Sequence, residues 1–296
     1  MGQLDNEISR RAFLNRTAKT GLVICSVGPL AVVSEAQSPQ AGVTLPPHRY
    51  IEASLCVGCR LCVPLCPMGA ISMAAKKASI DSEECAECGT CTRAKICPVT
   101  AIKEVKLTGP RFWRAAFSNN PDYPYPTTPT SKWITGGRGT EETKTNDYTN
   151  RFDRDHIGVL VELGRPVLGA RLSDLQRVLR KFAAHGYAMN EENPVMMLLE
   201  NHATGVLKPE VLNEKVISCI AEFTLPNSSA ADLLAMVKEL NEEVESVFSV
   251  SVALRADEAG RTRFEGLFGP NLWHFPNGKV NLGLAQTMAI KKGAVA

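Results

Sequence analysis

The stretch Cys56-Val-Gly-Cys59-Arg-Leu-Cys62-Val-Pro-Leu-Cys66-Pro67 decides how this chain folds, and a second stretch answers it: Cys85-Ala-Glu-Cys88-Gly-Thr-Cys91, five residues, then Cys97-Pro98. Of the ten cysteines, only Cys25 and Cys219 lie outside residues 56–97. Clustering at fixed short spacing is a ligand pattern more than a disulfide pattern. The flanks repeat as well. Ile51 stands five residues before Cys56, and Ile80 five before Cys85; Gly69-Ala70-Ile71 follows the first Cys-Pro, Thr100-Ala101-Ile102 the second. A repeat that includes its apolar flanks implies two similar half-units about a pseudo-twofold axis.

Three closely spaced thiolates suit three corners of an iron–sulfur cube, and the fourth cysteine, followed by proline, reaches the other cube of a pair. On that rule Cys56, Cys59, Cys62 and Cys97 hold one [4Fe–4S] cluster, and Cys85, Cys88, Cys91 and Cys66 hold the second. Structural zinc prefers two separated cysteine pairs. Disulfides suit so dense a run poorly, and a chain of 296 residues needs no such stapling. Residues 46–107 resemble the bacterial-type dicluster ferredoxins. They depart from them between Cys91 and Cys97, where five residues stand for the usual three and predict a bulged loop over Thr92–Ile96. The second loop carries Asp81, Glu83, Glu84 and Glu87, the first Arg60 and apolar neighbours. That contrast predicts a lower potential for the cluster on the acidic loop.

At the N-terminus, Ser9-Arg10-Arg11-Ala12-Phe13-Leu14 precedes an apolar run over 21–33. The run is too short for an ordinary spanning helix of roughly 20 residues. A charged start, a short apolar stretch and the small-residue exit Ser34-Glu35-Ala36 describe an export signal over 1–36. The paired arginines resemble a twin-arginine (Tat) signal, a route that exports folded cargo such as metal-cluster proteins. This implies a periplasmic location, or the outer face of the cytoplasmic membrane.

The formal charge of +2, from 33 Lys and Arg against 31 Asp and Glu, with 6% aromatic residues, argues against a nucleic-acid partner. Residues 108–150 are rich in Pro, Asn, Thr and Gly and read as an irregular linker in which Trp113 and Trp133 serve as anchors. Over 151–258 the pattern is clearer. Strands are expected at Ile157–Leu163, Val195–Leu199, Val216–Leu225 and Phe248–Leu254. One helix carries Leu172, Leu175, Val178, Leu179 and Phe182 and ends at Gly186; a second, opened by a Ser229/Asp232 capping box, carries Leu233, Val237, Leu240 and Val244. The order βαββαβ predicts a ferredoxin-like, ACT-like sandwich, so the whole chain reads as α+β, with a C-terminal extension over 259–296. Cys219 is expected to be a small buried hydrophobe. His48, His156, His185, His202 and His274 stand apart, without metal-ligand spacing.

The resulting expectation is a non-catalytic electron carrier with two [4Fe–4S] clusters, the iron–sulfur subunit of an extracytoplasmic oxidoreductase. Its partner would be a catalytic subunit, through which it associates peripherally with the membrane. A redox- or ligand-sensing role for the C-terminal domain is the alternative.

Overall fold

The computed structural model describes residues 48–126, 134–135, 153–164, 169–191 and 193–274. The Arg10–Arg11 segment, Cys25, the Ser34–Ala36 exit and Trp133 lie outside the described residues, as does the end of the extension beyond His274.

In the cysteine module, β1 (Tyr50–Ile51) leads into the first cysteine loop, which closes in a 3₁₀ turn at Val63–Leu65. A hairpin of β2 (Ile71–Ala74) and β3 (Lys77–Ile80) follows. The second loop runs into a single helical turn, α1 (Thr90–Arg93), and β4 (Ile102–Lys103) returns to pair with β1. The two halves exchange backbone bonds reciprocally. Ile51 pairs with Ile102 as Ile71 pairs with Ile80, and the Glu52 N–H donates to the Ala101 carbonyl at 2.8 Å as the Asp81 N–H donates to that of Ala70 at 2.8 Å. This is the pseudo-twofold the repeat implied. The extra residues before Cys97 form the α-helical turn where the first loop has a 3₁₀ turn, with Lys95 at φ 48°.

The stretch read as an irregular linker opens instead with a helix, α2 (Pro110–Ala116). Pro110 at the first turn lacks the N–H that would be unpaired there, and its fixed φ suits a helix start. The segment is short and sits between Gly and Pro, so its period does not stand out in the sequence. Trp113 packs edge-on against Phe112, with ring centroids 5.1 Å apart, and Ala116 and Phe117 are buried in the core of the next domain. A short pair, β5 (Tyr125–Pro126) and β6 (Ile134–Thr135), follows.

The second domain begins with β7 (His156–Leu163), then β8 (Ala170–Arg171) and α3 (Leu172–Ala184). After a 3₁₀ helix at Pro194–Leu198 come β9 (Leu199–Asn201), β10 (Val206–Leu207) and β11 (Lys215–Val216). The chain closes on β12 (Cys219–Pro226), α4 (Ala230–Glu243), β13 (Phe248–Ala253) and α5 (Phe264–Phe268). The main sheet has the order β12-β7-β13, and β7 is antiparallel to both neighbours. Therefore β12 and β13, joined by α4, run the same way with β7 between them, one complete split βαβ unit.

The strand expected at Val195–Leu199 does not form. Pro194 starts a 3₁₀ turn that the Asn193 side chain caps by accepting from the Val195 N–H at 2.9 Å. The segment just before it joins the sheet edge instead, through the Met189–Phe223 bridge, the Asn190 N–H donating to the Glu222 carbonyl at 2.8 Å and Asn193 Nδ2 donating to the Ile220 carbonyl at 3.0 Å. The strand expected over Val216–Leu225 is two strands: Lys215–Val216 pairs with Ala170–Arg171, and Cys219–Pro226 with β7. Ser229 makes no side-chain cap, and Asp232 instead accepts from the Tyr187 hydroxyl at 2.9 Å. Cys219 is buried, as expected, and Phe182 of α3 stacks on Phe223 at 3.9 Å between centroids. No helix among the described residues is long and apolar enough to cross a membrane.

Candidate metal centre

The two cysteine loops share an unusual backbone. Positive φ recurs at matched positions: Gly58 (73°) with Glu87 (53°) before the second cysteine, and Arg60 (67°) with Gly89 (70°) after it. Such angles turn the chain sharply, which a loop placing three thiols around one centre requires. Four consequences of the repeat are sulfur contacts or their scaffolding. The N–H of Ala70 donates to Cys66 Sγ at 3.2 Å, and that of Ala101 to Cys97 Sγ at 3.2 Å. The N–H of Cys56 is held by the Glu52 carbonyl, and that of Cys85 by the Asp81 carbonyl.

The thiols fall into two groups of four. Cys56, Cys59, Cys62 and Cys97 line one pocket, otherwise walled mainly by apolar side chains such as Ile51, Val99 and Ile102. Cys66, Cys85, Cys88 and Cys91 gather on the other side, where the Cys91 thiol feels the charges of both Cys88 and Cys66. Each group thus joins three cysteines of one half to the Cys-Pro cysteine of the other. By donor chemistry both sets suit a soft, thiolate-binding iron–sulfur group, with four sulfurs, an apolar wall and backbone N–H groups aimed at sulfur, although among the described residues no three of these side chains converge as the ligands of a single metal ion.

Their electrostatics differ. Burial pushes the Cys85 thiol up to about 12, aided by the Glu87 charge, and pushes Cys91 up to about 11. Burial also raises Cys62. By contrast, N–H groups of Ala78 and Gly58 hold Cys56 below the ordinary thiol value.

The acidic loop is not an open patch of negative charge, which removes the premise for a lower potential there. Glu87 is fully buried, with the Arg49 backbone N–H at 3.3 Å, Arg49 Nε at 3.7 Å and Arg111 Nη1 at 3.8 Å. Glu83 faces Arg111 Nη2 at 3.5 Å, and Glu84 binds Lys215 and lies 3.5 Å from Arg171 Nη2. Asp81 Oδ1 accepts from the N–H of Glu83 at 2.8 Å and of Glu84 at 3.3 Å. Arg114 is the hub. Its Nη1 donates to the carbonyls of Ser82, Glu83 and Cys85 at 2.9, 3.2 and 3.0 Å, and its Nε binds Glu214. Burial lowers its pKa and Glu214 opposes that shift.

None of Arg49, Arg111, Arg114, Arg171, Lys215 or Glu214 was singled out from sequence. Arg111 and Arg114 are an i, i+3 pair, a signal legible only once the short helix is recognised. The other four come from remote segments. The five histidines are not brought to either group: His156 pairs with Asp153 at 2.7 Å and His185 with Asp232 at 3.2 Å.

Comparison with known proteins agrees with this geometry. Residues 48–110 match the family described as the 4Fe-4S dicluster domain. The chain is 30% identical over 76 residues, a quarter of its length, to a "Ferredoxin 7Fe" of Hydrogenibacillus schlegelii, covering 94% of that protein. It is 46% identical over 48 residues, 16% of its length, to one component of the ion-translocating oxidoreductase complex of Methanosarcina acetivorans, of which the match spans only 17%. No solved structure matches the chain significantly.

Proposed function

Because this chain belongs, through residues 48–110, to the 4Fe–4S dicluster ferredoxin family, we propose that it transfers electrons through two [4Fe–4S] clusters as the iron–sulfur subunit of an extracytoplasmic oxidoreductase complex. The observation that carries this reading is the sorting of eight thiols into two mixed groups of four. In it, Cys56, Cys59, Cys62 and Cys97 are the ligands of one cluster and Cys66, Cys85, Cys88 and Cys91 those of the other. When bound, such clusters supply one-electron couples whose potentials span roughly −700 to +450 mV.

The protein's own part is to hold sulfur charge and exclude water. Backbone N–H groups of Ala70, Ala101 and Ala78 donate to Cys66, Cys97 and Cys56, favouring thiolate over thiol. Met68, Ala70 and Ala86, together with Ile217 from the second domain, pack as an apolar wall around Cys66 and Cys85. Arg114 fixes the carbonyls of the loop just before the second cysteine group.

Membership in a larger complex draws support from the likeness to a component of one, although that match covers a small part of the relative. Export draws support from Arg10 and Arg11 ahead of the apolar run. The catalytic subunit of the complex would be the redox partner, and peripheral membrane association would come through it.

Iron and sulfide analysis of anaerobically purified protein tests the core of this reading, with about eight of each per chain expected. Reduction should give EPR of two interacting clusters. Iron near four per chain, or none, would refute the two-cluster assignment. Fractionation of cells carrying Arg10→Lys with Arg11→Lys tests export separately: the protein should stay in the cytoplasm, whereas unchanged extracytoplasmic protein would refute the Tat route.

A further inference from the structure

The two thiol groups are not equally reachable. The second lies under the sheet domain. Ile217 packs into its wall, and a Cβ placed on Gly169 would stand 2.3 Å from Met68 Cε, so the two domains are in close contact there. Cys85, Cys88 and Cys91 are all buried. The first group faces outward. Cys59 is the exposed cysteine among those described; Val57 (63% exposed) and Leu61 (46%) line its pocket, Leu55 (39%) precedes Cys56, and Tyr50 (43%) adjoins the pocket-lining Ile51 on β1. The other exposed large hydrophobic side chain among the described residues is Trp273, near the end of the described chain. A concentrated apolar patch on an otherwise ordinary surface marks an interaction site.

Charge says what it meets. Arg60 lines the pocket mouth, the Lys76 carbonyl lies 2.2 Å from where a Cβ on Gly58 would sit, and Lys77 Nζ donates to the Cys56 carbonyl. All three side chains are exposed, and none has an ion pair among the described residues. The nearby Glu52 is matched to Lys103 at 3.6 Å. At the other loop, Glu83, Glu84 and Glu87 all face cations of the same chain. Among the described residues, the acids of the covered side face cations of the same chain, while Arg60, Lys76 and Lys77 of the open side meet no carboxylate.

From this asymmetry we infer that the Cys59 face is the docking surface for a redox protein whose own contact face has an apolar centre ringed by carboxylates. The inference rests on the electron-transfer reading and deepens it: electrons enter or leave by the Cys56/Cys59/Cys62/Cys97 side, and the other group is interior. A few exposed apolar side chains beside free cations suit the small, transient interfaces of redox encounters, and the cations act chiefly on association rate.

The test uses the full-length holoprotein, reduced anaerobically, with a purified acidic flavodoxin as probe; one electron passes to the oxidised flavin, which becomes the semiquinone. Stopped-flow rate constants are compared for wild type, Lys76→Glu, Leu55→Ser and, as a charge-matched control, Arg180→Glu on the exposed side of α3. Lys76→Glu should slow the reaction about tenfold at low salt, an effect that fades as salt is raised. Leu55→Ser should slow it at all salt concentrations, and Arg180→Glu should leave it within about twofold. Equal effects of Lys76→Glu and Arg180→Glu, at unchanged iron content and visible absorption, would overturn the inference. So would wild-type self-association in sedimentation that Leu55→Ser abolishes, since a second copy would then cover the face. A wild-type chain without iron or cluster EPR would instead refute the parent reading, by a readout that does not involve the flavodoxin.

Discussion

Arg114 and Glu214 bind each other across the seam between the cysteine module and the sheet domain, joining a helix that follows one to a loop of the other. Both side chains are largely out of water, at 1% and 10% exposure. The same guanidinium satisfies three carbonyls of the second cysteine loop and, through Nη2, that of Asn213 at 3.3 Å. One side chain therefore couples the shape of the loop to the presence of the second domain.

Arg114→Ala should be severe because it leaves a buried carboxylate and several carbonyls without a donor. Breaking a buried pair by removing one partner costs about 3–5 kcal/mol. The guanidinium chloride midpoint should fall accordingly, and the iron lost first should come from the Cys66/Cys85/Cys88/Cys91 group. Arg114→Lys should recover part of the stability but not the loop, since an ammonium cannot reach Glu214 and the carbonyls with the planar fork. An unchanged midpoint for Arg114→Ala would show that the seam bears no load.

Exchanging single Cys-Pro ligands distinguishes crosswise from sequential ligation. Cys66→Ala should disturb the group of Cys85, Cys88 and Cys91, although Cys66 follows the first loop in sequence; Cys97→Ala should disturb that of Cys56, Cys59 and Cys62. A convenient marker is Leu61→Cys, a label beside the first group only, exposed at 46%. The EPR of a spin label there should change strongly with Cys97→Ala and weakly with Cys66→Ala. The reverse order would refute the crossed pairing.

Loading should depend on pH differently at the two groups. Cys85 and Cys91, raised to about 12 and about 11, are thiols at neutral pH, so binding metal as thiolates must release their protons. Cys56 in the first group is shifted the other way, although Cys62 is raised. The sign follows: higher pH favours loading at both, more steeply at the second. Anaerobic reconstitution followed by absorption from pH 7 to 9 should show the first group filling at the lower pH. Parallel filling would contradict it.

The cysteine module was legible because its information is local. Spacing fixes the loops, and the repeat of Ile51 and Ile80 about them fixes the strand pairing seen in Ile51–Ile102 and Ile71–Ile80. The sheet domain was legible where period was strong, in β7, α3, α4 and β13. It was misread at 195–199, where an apolar Val-Met-Met-Leu-Leu run looks like a strand but Pro194 and the Asn193 cap impose a 3₁₀ turn. The ion pairs of the second loop were invisible because Arg49, Arg111, Arg171 and Lys215 come from four separate segments. An acidic run reads as acidic until the fold supplies the cations.

Two glycines separate backbone strain from steric contact in the cysteine loops. Gly58 (φ 73°) and Gly69 (φ 65°) both occupy the left-handed region, where any L side chain pays about 1–2 kcal/mol. A Cβ on Gly69 would meet nothing within 4 Å, so Gly69→Ala should cost only that strain and leave the metal content intact. A Cβ on Gly58 would stand 2.2 Å from the Lys76 carbonyl oxygen, which belongs to the tight turn of the β2–β3 hairpin and has no flexible end to move aside. Gly58→Ala must therefore push the first loop off the hairpin and displace the Cys56 and Cys59 sulfurs. We expect a larger fall in thermal midpoint than for Gly69→Ala, with iron reduced by about half through loss of the first group. Equal midpoints and full iron in both variants would show that the loop tolerates the displacement.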